Sequence, residues 1–386
     1  MTTTRPDMAR ADLPFESEVR KELARTRVHP RSRARHLPGW MYTSAEVFRR
    51  ETERIFLKDW LIIGRVEEVE TPGDYFTFDI VDEPVVVTRG KDGRLNAFSN
   101  VCRHRGAKVV EGRGNAKAFG CPYHGWTYDI EGKLAQTTFT DDVEGFDFDN
   151  CRLAPIQIGT WGGWIFVNFD PDAAPLERHV APYAEKLGYF RQEDCRLSDT
   201  LIVESDVNWK LIAENFIDVY HFRTLHAGTF GTRKNPATNI PYDEDQVIIF
   251  RPGGKSLTPT GEMLLGRLPW LTEDDPSAAG HMPPNAYFTC HADNVQLWMS
   301  WPLSPSRSRI MIYTIFSEQQ FARDDFKERA ETYHTFVARV LDEDVGMVTA
   351  LQKTVGSRNF RPGPITMLEA GVHATVNNFI NRVFDD

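Results

Sequence analysis

Between Val101 and Tyr128 the chain reads VCRHRGAKVVEGRGNAKAFGCPYHGWTY, and no other stretch limits its fold so tightly. Cys102 and His104 form one pair, Cys121 and His124 a second, with sixteen residues between the pairs. Two thiolates and two imidazoles on two short loops make a four-ligand metal site. The surrounding chain must therefore hold those loops face to face. Zinc fingers of the common kind give both cysteines first and both histidines later. Here each loop gives one of each. That order suits a two-iron cluster in which one iron takes the thiolates and the other the imidazoles. A structural zinc site is the competing reading.

The flanking sequence has a period of two. DWLIIGRVEEV, GDYFTFDIV, EPVVVTRG and LNAFSN read as strands, with Lys91-Asp92-Gly93 as a hairpin turn. GTWGGWIFVNFDP reads as one more strand after the loops. Residues 41–170 are thus expected to form an all-β unit with the metal site at its tip. Within it, C-x-H, sixteen residues and C-x-x-H, closed by Pro122-Tyr123 and Gly125-Trp126, resembles the Rieske [2Fe–2S] domain.

Composition narrows what the rest can be. The 386 residues are 41% hydrophobic and 26% charged, ordinary globular material long enough for two or three domains. No apolar run is long enough to span a bilayer, and the N-terminus lacks the apolar core of a signal peptide. A formal charge of −10 argues against a nucleic-acid partner. Of five cysteines, Cys151, Cys195 and Cys290 remain as scattered singles, which predicts a reducing cytoplasm rather than a disulfide framework. Residues 1–40 carry nine Lys/Arg against five Asp/Glu and are expected to form a basic arm on the catalytic domain or a neighbouring subunit. A helix should follow, with Thr43 and Glu46 as a capping box and Val47, Ile55 and Phe56 on its apolar side.

After the boundary at Pro171–Pro175 comes a second informative stretch, NWKLIAENFIDVYHFRTLHAGTF, Asn208–Phe230. On a helix, Glu214, Asp218 and His221 share one face. The intervening residues are mostly apolar, so burying this helix takes its acids and imidazole inward, which is costly unless they are paired or bind a cation. His226 lies five residues after His221, so the helix should end or widen near Phe222–Thr224. Two histidines and one carboxylate make a facial triad with open positions on Fe(II). Asp342, Glu343 and Asp344, in VLDEDVGMVTALQKTVG, offer that carboxylate, and spacing alone does not choose among them. The other reading is a structural Glu–His or Asp–His pair. Residues Ala227–Pro284 are rich in Gly, Pro, Thr and Asp. Strands resume at NAYFTCH, NVQLWMSWPL and RIMIYTIFS, and one or two helices cover Glu318–Lys353.

Downstream of a Rieske motif, NWKL-x2-EN-x2-D-x-YH-x4-H resembles the catalytic domain of the Rieske non-haem iron oxygenases. This is the α-subunit family of aromatic-ring-hydroxylating dioxygenases and related monooxygenases and demethylases. The resemblance runs from about Trp60 to Gln352. It implies an α+β chain, with a helix-grip-like catalytic domain over 171–386 in which helices cover an antiparallel sheet. By position it implies Cys102, His104, Cys121 and His124 as ligands of a [2Fe–2S] cluster. His221 and His226 match the Fe(II) histidines, Asp344 the carboxylate ligand through Glu343-Asp344-x7-Gln352, and Asp218 a bridging aspartate. It further implies O2 as substrate, a reductase or ferredoxin as electron donor, and a ring of three copies. In that ring the cluster of one chain lies beside the iron of the next. Asn215, Phe216 and Phe222 are expected near substrate. Arg223, Arg233 and Lys234 are candidate partners for a substrate carboxylate.

Overall fold

A computed structural model describes residues 16–230, 247–249 and 255–385. The chain divides into two compact units. One is Phe56–Ala181 with Gln192–Asp194, and the other takes Pro182–Arg191, the remainder of the C-terminal half and the segment before Phe56.

The first unit is all β. Its strands are β1 (Leu61–Arg65), β2 (Asp74–Ile80), β3 (Glu83–Arg89), β4 (Leu95–Ser99), β5 (Arg113–Asn115), β6 (Ala118–Gly120), β7 (Thr127–Asp129), β8 (Leu134–Gln136), β9 (Pro155–Trp161) and β10 (Trp164–Asn168). Seven form an antiparallel sheet in the order β1-β10-β9-β4-β3-β2-β5, and β6-β7-β8 form a small second sheet. Strand β1 stops at Arg65 instead of running through Val69. Glu68 reaches back to the Arg65 amide at 2.8 Å and starts a 3₁₀ turn over Val66–Val69. Gly162 and Gly163 both take positive φ in the two-residue β9–β10 turn, the torsions such hairpins require. A Cβ on Gly163 would sit 2.7 Å from the Arg65 guanidinium, which is fully buried, paired with Glu67 and laid over Trp164. The core beneath the metal loops joins Cys102 and Cys121 to Phe98, Phe119, Trp126 and Tyr128.

The second unit carries a six-stranded antiparallel sheet. Its helices are α1 (Glu16–Arg27), α2 (Ala45–Glu51), α3 (Leu176–Leu187, joining at Pro182), α4 (Trp209–Ile217), α5 (Glu318–Phe321), α6 (Phe326–Val355) and α7 (Ala370–Phe384). Its strands are β11 (Cys195–Ser205), β12 (Val247–Ile249), β13 (Ala278–Met282), β14 (Ala286–Cys290), β15 (Val295–Ser304) and β16 (Arg307–Ser317), in the order β11-β16-β15-β14-β13-β12. β13 falls inside the stretch expected to lack strands. Its sequence, AAGHM, has neither β-branched residues nor alternation, so tertiary pairing with β14 decides it. Helix α4 packs on β15 and on α6 and α7. Its Leu211, Ile212 and Ile217 enter one core with Phe336, Val340 and Leu341 of α6, Val376 and Ile380 of α7, and Trp298 and Ile312 of the sheet. Each such side chain contributes roughly 1.5–3 kcal/mol on burial.

Residues 41–55, which the sequence groups with the all-β unit, belong to this second unit. The cause is visible in α2. Glu51 is fully buried and accepts from Lys210 Nζ at 2.6 Å and Trp209 Nε1 at 2.9 Å, both on α4. The cap of α2 is Ser44, which accepts from the Val47 amide at 3.3 Å, and the expected Thr43–Glu46 box gives way to it. Glu46 is drawn to Arg49 and Arg50 instead. The described part of the arm packs on its own unit, with α1 against α7 and Arg27 bonded to Asp385. Among the described residues no helix is long and apolar enough to cross a membrane.

Candidate metal centres

The two Cys–His loops of the β unit share one backbone plan. The Cys102 carbonyl accepts from Gly106 at 2.9 Å and its amide donates to Ala107 at 2.9 Å. The Cys121 carbonyl accepts from Gly125 at 3.0 Å and its amide donates to Trp126 at 2.8 Å. Gly106 and Gly125 both sit at positive φ, which lets each loop turn back under its cysteine. Both cysteines are buried, and the His104 and His124 rings approach to 4.5 Å between centroids. Trp126 stacks on His104, 13° from parallel. His124 Nδ1 is buried and has no hydrogen-bond partner, as expected of a nitrogen that would ligate a metal. The four residues thus fit a two-iron cluster with one sulfur and one nitrogen donor per loop.

Tyr128 takes a part at this site that its sequence context does not signal. Its hydroxyl accepts from the Arg103 amide at 2.9 Å, leaving its proton for Cys102 Sγ at 3.4 Å. Burial, then the hydrogen bond to Cys102, pushes the phenol pKa up, so it stays a donor. Hydrogen bonds to cluster sulfurs are one lever on reduction potential.

In the second unit, α4 ends at Ile217, short of the end expected near Phe222–Thr224. Asp218 caps it in an extended conformation. Its Oδ1 accepts from the Tyr220 amide at 2.6 Å and turns the chain. Its Oδ2 faces His221 Nδ1 at 3.0 Å. His221 therefore meets Asp218 through a tight turn and not along a helix face. A further turn, in which the His221 carbonyl accepts from Leu225 at 2.9 Å, presents His226, and the two rings converge.

Opposite them, α6 brings Asp344 inward and leaves Asp342 exposed. Asp344 Oδ1 lies 3.0 Å from His226 Nε2 and 3.4 Å from His221 Nε2, and the two Nε2 atoms are 3.2 Å apart. Among the described residues this is a group of three whose ligand atoms all lie within 4.8 Å of one another. Glu343 takes His226 Nδ1 at 2.7 Å and also accepts from the Thr229 hydroxyl. The outer nitrogens both face carboxylates, so with Nδ1–H donors the two Nε2 lone pairs point together at an anionic oxygen. Only a proton or a cation between them relieves that arrangement. Burial opposes charging His221, yet Asp218 and Asp344 outweigh it and lift its pKa to about 9. His226 is raised and Asp344 lowered for the same reason, each against the effect of burial. Two neutral imidazoles and one carboxylate, with carboxylates behind the imidazoles, suit a divalent iron.

The neighbouring residues divide by role. Asn215 donates to Asp344 Oδ1 at 3.3 Å, so it touches the triad carboxylate. Phe216 packs edge-on against Trp298 at the core. Phe222, 40% exposed, lies against the rings of His221, His226 and Phe230. Arg223 is exposed, and Arg233 and Lys234 lie outside the described residues. Asn208 caps α4, and its amide donates to Gln352 Oε1 at 2.8 Å, which joins the two ends of the motif. Glu214 is buried and accepts from the Tyr42 hydroxyl at 2.9 Å. Burial lifts its pKa to about 7. A cavity of about 610 Å³ opens beside Asp218 and His221, with Leu225, Met347, Leu351 and Phe360 on its apolar wall.

The family model of the ring hydroxylating alpha subunit (catalytic domain) matches residues 164–384, and that of the Rieske [2Fe–2S] domain matches residues 59–147. The carnitine monooxygenase oxygenase subunit of Acinetobacter pittii (strain PHEA-2) is 38% identical over 194 residues, 50% of this chain and 52% of that one. Against that relative the chain spans about half the length. The chlorobenzene dioxygenase subunit alpha of Cupriavidus sp. (strain PS12) is 30% identical over 79% of this chain and 76% of its own. A solved quaternary ammonium Rieske monooxygenase, described for carnitine oxidation by gut microbiota and inter-subunit electron transfer, superposes with a TM-score of 0.75. It is 26% identical, covering 92% of this chain and 96% of that one. With a Rieske [2Fe–2S] domain followed by a mononuclear-iron catalytic domain, the chain belongs to the ring-hydroxylating α-subunit family of Rieske non-haem iron oxygenases.

Proposed function

We propose that this chain is the terminal oxygenase component of a multicomponent enzyme. It takes electrons from a reductase or ferredoxin and uses O2 to hydroxylate a small organic molecule. The observation that carries this reading is the convergence of His221, His226 and Asp344 on one point in a chain that also has a Rieske domain. In it, Cys102, His104, Cys121 and His124 hold the cluster, and His221, His226 and Asp344 hold the iron. When bound, the cluster supplies electrons singly and the iron supplies open positions for O2 and substrate. The protein's own part is orientation. Asp218 and Glu343 each fix one histidine by its Nδ1–H and raise its basicity, and Asn215 steadies Asp344. Asp218 is the bridge by which His124 or His104 of one chain reaches His221 of the next, in a ring of three copies. The inter-subunit electron transfer described for the quaternary ammonium relative supports that arrangement. The free cysteines support a reducing cytoplasm.

Relatives support two substrate classes. The carnitine monooxygenase similarity favours oxidation of a quaternary ammonium compound, with cleavage at a C–N bond. The chlorobenzene dioxygenase similarity, over 79% of the chain, favours dihydroxylation of an aromatic ring, as in aromatic hydrocarbon catabolism. O2-coupled turnover with a surrogate reductase, run against quaternary amines and aromatic compounds with product identification, separates them. Aldehyde or amine release marks the first and a cis-diol the second. Absence of O2 uptake with every substrate would contradict both.

A further inference from the structure

The face of the six-stranded sheet that carries Trp298 is apolar along one row and polar along the next. Ile312, Trp298 and Tyr287 pair across β16, β15 and β14 and belong to the core that α4 enters. Two residues nearer the start of β15, Asp199, Thr314, Gln296 and Thr289 line up across β11, β16, β15 and β14. Residues two apart on a strand share a face, so Gln296 lies on the same side as Trp298, roughly 7 Å along the strand. Gln296 is fully buried, and Thr314 is nearly so.

Gln296 is held in one orientation. The Trp298 indole N–H donates to its Oε1 at 3.1 Å, and the Thr289 hydroxyl donates to the same oxygen at 3.5 Å. An indole nitrogen only donates, so the amide oxygen must face it and the NH2 must point away. That Nε2 is buried and has no hydrogen-bond partner among the described residues. Amide protons withheld from water with nothing to bind are costly, and a fold that keeps them has a use for them. Their place in the fold supplies one. The helix end that brings Asn215 to Asp344 also lays Phe216 edge-on against Trp298, with 5.4 Å between ring centroids. The amide therefore stands on the sheet floor that Trp298 and Phe216 join to the iron triad.

We propose that Gln296 Nε2 is a substrate-recognition donor, and that the molecule oxidised carries a neutral carbonyl oxygen that accepts from it. This rests on the oxygenase reading above and narrows its substrate. A carbonyl is favoured over a carboxylate by the charges on hand. Among the described residues the buried lysines and arginines are Arg65 and Lys210, which are paired with Glu67 and Glu51. The polar row itself ends in the carboxylate of Asp199. A buried anion at Gln296 would go unpaired, whereas a carbonyl asks only for a hydrogen bond.

The test is calorimetric binding to the metal-loaded chain, which needs no turnover. One probe set is acetophenone, its hydrocarbon isostere α-methylstyrene, and benzoate. The other is γ-butyrobetaine methyl ester, pentyltrimethylammonium and γ-butyrobetaine. In at least one set the carbonyl compound is expected to bind roughly tenfold more tightly than the hydrocarbon, and more tightly than the carboxylate. Gln296→Met keeps the length of the side chain and removes both donors. It should weaken the carbonyl compound by about tenfold and leave the hydrocarbon within about twofold. If in neither set the wild type binds the carbonyl compound more tightly than the hydrocarbon, the proposal is overturned without recourse to a variant. A preference that survives Gln296→Met, or a variant that weakens both compounds alike, overturns the role of Gln296. A carboxylate that binds more tightly than the carbonyl compound assigns the donor to an anion and overturns the neutral acceptor. O2 uptake is read separately on the same compounds. Binding as expected without uptake removes the oxygenase reading and leaves the recognition site standing.

Discussion

At the residue scale the site is built from carboxylates that hold imidazoles. Asp218→Asn keeps the size of the side chain but exchanges an acceptor for an amide at His221 Nδ1. The cluster's visible spectrum should survive while turnover falls by about 10–100-fold or more. Normal turnover in that variant would dismiss the bridging role. Glu343→Gln weakens the grip on His226, and iron affinity should drop by roughly 10–100-fold, measured as iron retained after dialysis against a chelator. The four Cys–His residues of the candidate cluster site were legible in sequence because all four lie within one short stretch and their order is chemically specific. His221 and His226 were legible for the same reason. The acid on α6 was not, since Asp342, Glu343 and Asp344 differ only in which way a helix turns them. Packing makes the choice by burying Asp344 and exposing Asp342. Tyr128 gave no signal, because a tyrosine in a strand reads as core until its hydroxyl is seen at Cys102.

At the scale of elements, α4 is the part on which the second unit turns. Its Lys210 and the Glu51 of α2 are both fully buried, so removing one charge strands the other. Lys210→Met should destabilise the unit by about 3–5 kcal/mol in urea unfolding. Adding Glu51→Leu should recover part of that, less the cost of the Trp209 N–H left without its acceptor. Glu214, one turn before the cap, has its pKa raised by burial from 4.5 to about 7. The unfolded chain gives up this proton first, so the contribution of Glu214 to stability is lost as pH rises from about 4.5 to about 7. Glu214→Gln should remove that slope, changing the wild-type-minus-variant stability by on the order of 3 kcal/mol across the window. Parallel stability curves for the two proteins would contradict it. Periodicity located α4, but neither its cap residue Asn208 nor its end. Asp218 stops the helix through a side-chain bond to Tyr220, a local competition that apolar spacing does not reveal.

Across the whole molecule, the alternation of apolar residues was enough to find the all-β unit, and the later strands were found where their apolar runs are long. The assignment of residues 41–55 was not legible, because it rests on a buried Glu51–Lys210 contact between segments 159 residues apart. Nor was β13, whose residues carry no strand signature of their own. What unites the molecule is the claim that one chain carries two separate metal centres, with His221, His226 and Asp344 holding an iron that the cluster motif does not. Iron and acid-labile sulfide counts on wild type and His221→Ala, taken with the visible spectrum, test it most directly. Each wild-type chain should hold about two cluster irons, one further iron and two sulfides, with a brown colour bleached by reductant. His221→Ala should lose the single further iron and keep both sulfides and the spectrum unchanged. A variant that retains its third iron, or that loses the cluster along with it, would refute the assignment of two separate centres.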